Sequence, residues 1–330
     1  MNVLIFGAQR EEQELITSML ADSLIDKVTF GKGVLSLENM ECVKGYELVW
    51  IITNSIIGEK EAEKLKEYGV RFMVTRSAGT DHMDKHALKK CGIQAANVPE
   101  YSPGAISEHT VLLLLALLRN LKRSTQMTDR GDFSLSGLLG KEISSLTVGV
   151  VGCGRIGLRT MQILSSFGCQ ELVYSPHVKE EGKKYARFVT EEELFRQSDV
   201  VLLHCPQTEK NYHMINKETL SWMKEGSYLV NTARGGLVDT EAVLEALKSR
   251  KLAGYAFDVY EKEDDFIRKN CGRDGYKDSL FWELCDRDDV IYTAHTGFFT
   301  EEAVSAMRKI TVENVLEYAA KGSCINEFIQ

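Results

Sequence analysis

The sequence predicts an α/β protein built on parallel sheets, and three observations carry that expectation. Short β-like runs alternate with helical stretches almost from end to end. A glycine-rich string stands between an apolar strand and a helix. Arg, Glu and His follow the ends of successive strand-like runs in the last third of the chain. With 330 residues the chain has the length of about two domains, and it can bury full cores without disulfides or structural metals.

In order, Val3–Phe6, Leu48–Thr53, Arg71–Thr75 and Gln94–Asn97 are apolar runs of strand length. Helices are expected between and after them, over Glu11–Ala21, Glu59–Tyr68 and Asp84–Lys90. Two prolines and a Ser102 cap then precede a long helix from 103 to about Arg123. Its stretch Val111–Leu118 is apolar all round, so it should be buried on every side, in one domain, between domains or in a subunit interface. A second series of strands follows at Thr147–Val151, Leu172–Tyr174, Val200–His204, Tyr228–Asn231, Ala253–Asp258 and Val290–Thr293. Helical windows lie at Arg155–Ser166, Glu191–Gln197, Thr240–Ser249 and Thr300–Ala320. No internal repeat or low-complexity stretch interrupts them, and only four prolines occur.

Composition excludes several classes. A net charge of −8 argues against a nucleic-acid partner. The longest apolar run has eight residues, too few for a membrane span. Met1 is followed directly by the first strand, with no basic segment or cleavage site, so a cytoplasmic location is expected. Eight cysteines show no C-x-x-C spacing and are expected as reduced thiols, with no metal site.

The string Gly149-Val-Val-Gly-Cys-Gly-Arg-Ile-Gly157 ends in G-x-G-x-x-G at a strand-to-helix turn. Gly152 permits the tight turn, Gly154 admits a pyrophosphate close to the backbone, and Gly157 lets helix pack on strand. The free N–H groups at the helix start, from Arg155 and Ile156 onward, then face the phosphates. A dinucleotide cofactor, NAD(H) or NADP(H), is the expectation. The acid that usually closes the second strand and binds the ribose is absent; Ser175 stands there. His177 and Lys179 nearby suit a 2′-phosphate, while Ser175 alone suits a ribose hydroxyl.

Arg234 follows the strand ending at Asn231 and precedes two glycines, and an arginine so placed can hold a carboxylate in a bidentate pair. The next strand end carries Asp258, Glu261 and Glu263, and the one after it His295. Together these types suit a 2-oxo acid: arginine for the carboxylate, histidine for the proton on oxygen, and a carboxylate to orient the imidazole and stabilise its charge.

These residues resemble the D-isomer-specific 2-hydroxy-acid dehydrogenase family, in its D-lactate dehydrogenase-like branch. The strings that carry the resemblance are Arg-Ser-Ala-Gly-Thr-Asp (76–81), Asn-Val-Pro-Glu-Tyr-Ser-Pro (97–103), the fingerprint, and Leu-His-Cys-Pro-Gln-Thr (203–208). Asn-Thr-Ala-Arg-Gly (231–235), Asp-Val-Tyr-Glu-Lys-Glu (258–263) and Thr-Ala-His-Thr-Gly-Phe-Phe (293–299) continue it. The resemblance implies Arg234, Glu263 and His295 as the catalytic set, with Glu261 close enough to compete for the carboxylate role. It implies substrate contacts from Ala78, Gly79 and Tyr101; Phe298 and Phe299 are candidates to line the pocket for the substrate side chain. On the cofactor side it implies His204, Cys205, Pro206, Thr232, Ala233 and Asp258. It further implies a Rossmann-type doubly wound nucleotide domain (100–295) inserted into a smaller flavodoxin-like substrate domain (1–99 with 296–330), and a homodimer. The expected activity is reduction of a small 2-oxo acid, foremost pyruvate to D-lactate. Bulkier 2-oxo acids and a dinucleotide-sensing, corepressor-like role are the alternatives.

Overall fold

The computed structural model describes residues 1–329 and separates into two compact units, one of Met1–Ser102 with the chain from Thr300 onward, the other of Pro103–Phe299.

The first unit alternates strand and helix: β1 (Asn2–Ile5), α1 (Arg10–Leu20), β2 (Lys27–Phe30), β3 (Leu48–Ile51), α2 (Glu59–Glu67), β4 (Phe72–Thr75), α3 (Lys85–Cys91) and β5 (Gln94–Ala96). All strands are parallel in the order β2-β1-β3-β4-β5, the flavodoxin-like order. Strand side chains alternate between faces. Val3, Ile5, Trp50 and Phe72 therefore pack toward α1 and the final helix, Glu301–Lys321. Tyr318 of that helix stacks on Phe72 with ring centres 4.1 Å apart. Leu4, Val49, Ile51 and Met73 form the opposite core with α2 and α3. The helices start and stop on local signals. Asp84 and Thr300 cap their helices by accepting from Ala87 N and Ala303 N, and Gly92 and Gly322 end theirs at positive φ.

The second unit begins with α4 (Pro103–Leu118) and α5 (Leu121–Asp129). Then come β6 (Thr147–Val151), α6 (Arg155–Ser165), β7 (Gln170–Tyr174), β8 (Arg187–Phe188), α7 (Glu191–Gln197), β9 (Val200–Leu203) and α8 (Lys217–Trp222). It closes with β10 (Ser227–Asn231), α9 (Thr240–Lys248), β11 (Leu252–Phe257), α10 (Ser279–Cys285) and β12 (Val290–Tyr292). The seven strands are parallel in the order β12-β11-β10-β9-β6-β7-β8. The order reverses between β6 and β9, the switch point of a Rossmann sheet, where ligands bind beyond the carboxyl ends of the strands.

Four expectations need correction. The helix from 103 does not run to Arg123: it stops at Leu118, and α5 leaves at 63° to it. Asn120 adopts φ 50, the Leu118 carbonyl accepts Lys141 N instead of a helical amide, and Asn120 Nδ2 donates to Leu139 O. Nor is its apolar stretch buried on every side, because Leu112 is 55% exposed. Strands β2 and β8 escaped the pattern because one is a partly exposed edge and the other only two residues long. Helices α8 and α10 are likewise additional, each opening on an Asn or Asp cap, Asn216 and Asp278. No single helix among the described residues is long and apolar enough to cross a membrane.

Candidate active site

The fingerprint occupies the turn from β6 into α6, where its three glycines meet different constraints. Gly152 has φ 104, and a Cβ there would stand 2.7 Å from His204 O. A Cβ on Gly157 would overlap the Gly152 carbonyl, so helix and turn close on each other only through glycine. Gly154, the N-cap of α6, has open space around its Cα, so its backbone is approachable. This pattern fits a pyrophosphate held on the first amides of α6, Arg155 and Ile156 among them. Ser107 Oγ on α4 donates to Ile156 O and anchors the same turn from below.

Around the turn, Ser175 is the first residue after β7, whose Tyr174 carbonyl accepts Gly152 N. His177 and Lys179 are exposed in the loop that follows. His204 closes β9; its Nε2 has no partner among the described residues, and burial pushes its pKa down to about 4. Burial pushes the Cys205 thiol up to about 11, which leaves it protonated and unreactive at neutral pH. Pro206 is exposed beside it.

Beyond β10, buried Asn231 clamps a tight turn: its Oδ1 accepts Ala233 N and its Nδ2 donates to Arg234 O. Thr232 pairs through its hydroxyl with Thr110 of α4 at 2.7 Å. Arg234, partly buried, donates from Nη1 to Ala233 O.

Beyond β11, buried Asp258 organises the neighbouring strand end. Its carboxylate accepts Thr293 Oγ1 at 2.6 Å and the backbone amides of Thr296 and Gly297 at 2.8 and 2.9 Å. His109 of α4 sits 3.5 Å from it and 2.9 Å from Thr293 Oγ1. Burial alone would raise the Asp258 pKa, but these hydrogen bonds together outweigh it and hold the carboxyl below its usual value. The segment so gripped is strained, since Ala294 and His295 both lie at positive φ, 51 and 56. A 2.6 Å bond from His295 N to Asp258 O holds it there.

His295 Nδ1 meets Glu263 Oε1 at 2.7 Å, across 32 residues of sequence. The second oxygen of Glu263 accepts Tyr260 N at 2.9 Å, so the carboxylate is fixed on both sides. With Nδ1 engaged, the imidazole presents Nε2 as its working nitrogen. Glu261, the rival for this contact, turns instead to His213. Phe298 lies edge-on to His295, ring centres 6.2 Å apart, while Phe299 is 70% exposed.

In the first unit, Ala78 and Gly79 form a loop after β4. Their carbonyls accept Asn97 Nδ2 and Ser77 Oγ, an arrangement that fixes the loop through its oxygens. Arg76 beside them is committed elsewhere, in a partly buried cluster with Glu12 and Arg308. Tyr101 follows in the segment before α4 and is partly buried.

Sequence reasoning did not single out His109, Thr293 or the His213–Glu261 pair. A histidine at 109, two residues before the apolar run Val111–Leu118, was the available signal for the first.

A doubly wound sheet with a phosphate-binding turn and a His–carboxylate pair on one carboxyl edge defines a dinucleotide-dependent oxidoreductase. Residues 111–297 match the model of the D-isomer specific 2-hydroxyacid dehydrogenase NAD-binding domain, more than half of the chain. The chain belongs to the D-isomer specific 2-hydroxyacid dehydrogenase family, whose members reduce 2-oxo acids to D-2-hydroxy acids with NAD(H). It is 40% identical to an aromatic 2-oxoacid reductase of Clostridium sporogenes over 300 residues, covering 91% of this chain and 89% of that one. Identity to the D-lactate dehydrogenase of Escherichia coli is 32% across the full length of both. Among solved structures, a D-2-hydroxyisocaproate dehydrogenase superposes with a TM-score of 0.89 at 33% identity, again over all of both chains.

Proposed function

We propose that the protein reduces small 2-oxo acids to the D acid, pyruvate to D-lactate foremost, with Arg234, Glu263 and His295 as its catalytic residues. The observation that carries this reading is the 2.7 Å contact of His295 Nδ1 with Glu263, one strand end from Arg234. Arg234 holds the substrate carboxylate and polarises the carbonyl. His295 Nε2 gives its proton to the carbonyl oxygen, and Glu263 keeps the ring oriented as charge changes on it. When bound, the nicotinamide supplies the hydride. The amides of Ala78 and Gly79 and the hydroxyl of Tyr101 are assigned to the substrate carboxylate in the same reading. Asp258 and Thr232 brace the cofactor side through α4.

A second reading, preference for aryl 2-oxo acids, is supported by the 40% identity to aromatic reductases and by Phe298 beside His295. Steady-state oxidation of NADH with pyruvate, 2-oxoisocaproate and phenylpyruvate separates the two. The highest kcat/KM with pyruvate supports the first, and the highest with phenylpyruvate replaces it by the second. No turnover with any of them would leave only the dinucleotide-sensing role. NADPH is expected to serve beside NADH because Ser175 offers no carboxylate to repel a 2′-phosphate; a thousandfold preference for NADH would refute that.

The homodimer expected from the sequence is proposed through residues 103–140. Leu112, Phe133 and Leu139 are 55, 81 and 96% exposed there, an apolar group that favours a partner surface. Leu139→Asp combined with Phe133→Asp should shift sedimentation from dimer to monomer.

A further inference from the structure

Beside the Glu263–His295 pair lies a second histidine–carboxylate pair that the reaction above does not use. Glu261 Oε2 meets His213 Nε2 at 3.0 Å, and its Oε1 accepts Thr240 Oγ1 at 2.6 Å. Both residues are partly buried, at 15% and 30% side-chain exposure. Each leaves a different strand end: His213 follows β9, Thr240 opens α9 after β10, and Glu261 follows β11.

What the pair encloses is the loop of Arg234. His213 N donates to Gly236 O at 2.8 Å, and Ile215 N to Leu237 O at 3.0 Å, so the segment after β9 runs along that loop. On its other side, Gly235 lies so close to the Tyr260–Glu261 peptide that any side chain there would overlap it. Asn231 clamps the loop before Arg234, but the two glycines directly after it, 235 and 236, bring no side chains to lock that half. His213 itself holds φ 51, a conformation that a non-glycine residue keeps only when its surroundings enforce it; its ring stacks on Tyr212 at 4.0 Å.

We infer that His213 and Glu261 are positioning residues, which hold the Arg234 loop in register with the segment carrying Glu263. Glu261 stands two residues before Glu263, whose Oε2 is tied to the Tyr260 amide. A bond from Glu261 across the loop to His213 thus fixes the arginine against the same backbone that fixes the acid–base pair. Small displacements of a binding group cost large factors in rate. The arginine grips the carboxylate in ground and transition states alike and polarises the carbonyl as hydride arrives, so loosening it raises KM and lowers kcat together.

The inference rests on the proposed role of Arg234, and the test separates the two. His213→Leu should raise KM for the 2-oxo acid at least tenfold, lower kcat as well, and leave the Kd for NADH within twofold. His213→Gln, which restores a side-chain N–H toward Glu261 at the same backbone cost, should recover most of the loss. The double variant with Glu261→Ala should be no worse than the poorer single one. Additive losses, or a fall in Tm with KM unchanged, would overturn the inference. Hydrogen exchange at the amides of 232–237, measured without substrate, should quicken in His213→Leu and not in His213→Gln. Unchanged exchange overturns the brace whatever the kinetics. Quickened exchange in a protein that turns over no 2-oxo acid upholds the brace and rejects the assigned chemistry.

Discussion

Gly154 and Gly157 stand three residues apart yet answer to different demands. Gly154 has conventional backbone angles and open space, so alanine fits the protein but intrudes where a pyrophosphate would approach. Gly154→Ala should leave Tm unchanged and raise the NADH Kd tenfold or more by fluorescence titration. At Gly157 the clash is with backbone, so Gly157→Ala should destabilise the fold by about 1–3 kcal/mol in denaturant titrations. His295 calls for a replacement that tolerates positive φ, and asparagine does so best among residues with side chains. His295→Asn should cut kcat by about 10²–10⁴-fold with NADH affinity retained. A kcat within tenfold of the parent would remove His295 from the acid–base role.

Elements differ in how far their residues announce them. Parallel strands buried on both faces, such as Leu48–Ile51 and Val200–Leu203, read as plain apolar runs, and the fingerprint turn is legible because its contacts are local. Edge strand β2 has no such run, and α8, of six residues, is too short to show a period. The α4–α5 break depends on Lys141 and Leu139, some twenty residues downstream, so nothing around Asn120 displays it. The same holds in the site. Residue type alone cannot say which of Glu261 and Glu263 reaches His295; the resemblance favours Glu263, and the fold hands that one to His295 and Glu261 to His213. At the break, Asn120→Ala should cost about 1–2 kcal/mol through its left-handed backbone, and Asn120→Gly less, as read from urea midpoints.

At the scale of the molecule, a few buried groups set how stability follows pH. The His204 pKa is pushed from 6.5 to about 4, so only the unfolded chain takes up its proton between those values and stability falls as pH drops through them. Glu12 gives the same sign: burial raises its pKa, but Arg76, Gln9 N–H and Arg308 together lower it further, and its contribution is lost in acid. Glu171 opposes them. Buried, with Oε2 unpartnered among the described residues, it is pushed from 4.5 up to about 8, so stability present below 4.5 is lost as pH rises toward 8. Glu171→Gln should therefore stabilise the protein at pH 8 and do little at pH 4.5, with a slope between of at most about 1.4 kcal/mol per pH unit in denaturant titrations. The order of the chain has a consequence during synthesis. The sheet of the first unit is complete once Ala96 has been made, but the helix whose Tyr318 covers Phe72 comes only after the whole of Pro103–Phe299. At ribosomal speed that interval is about 10–40 s. Throughout it Trp50 and Phe72 stand partly uncovered on the nascent chain, a surface for a holding chaperone before it is a core.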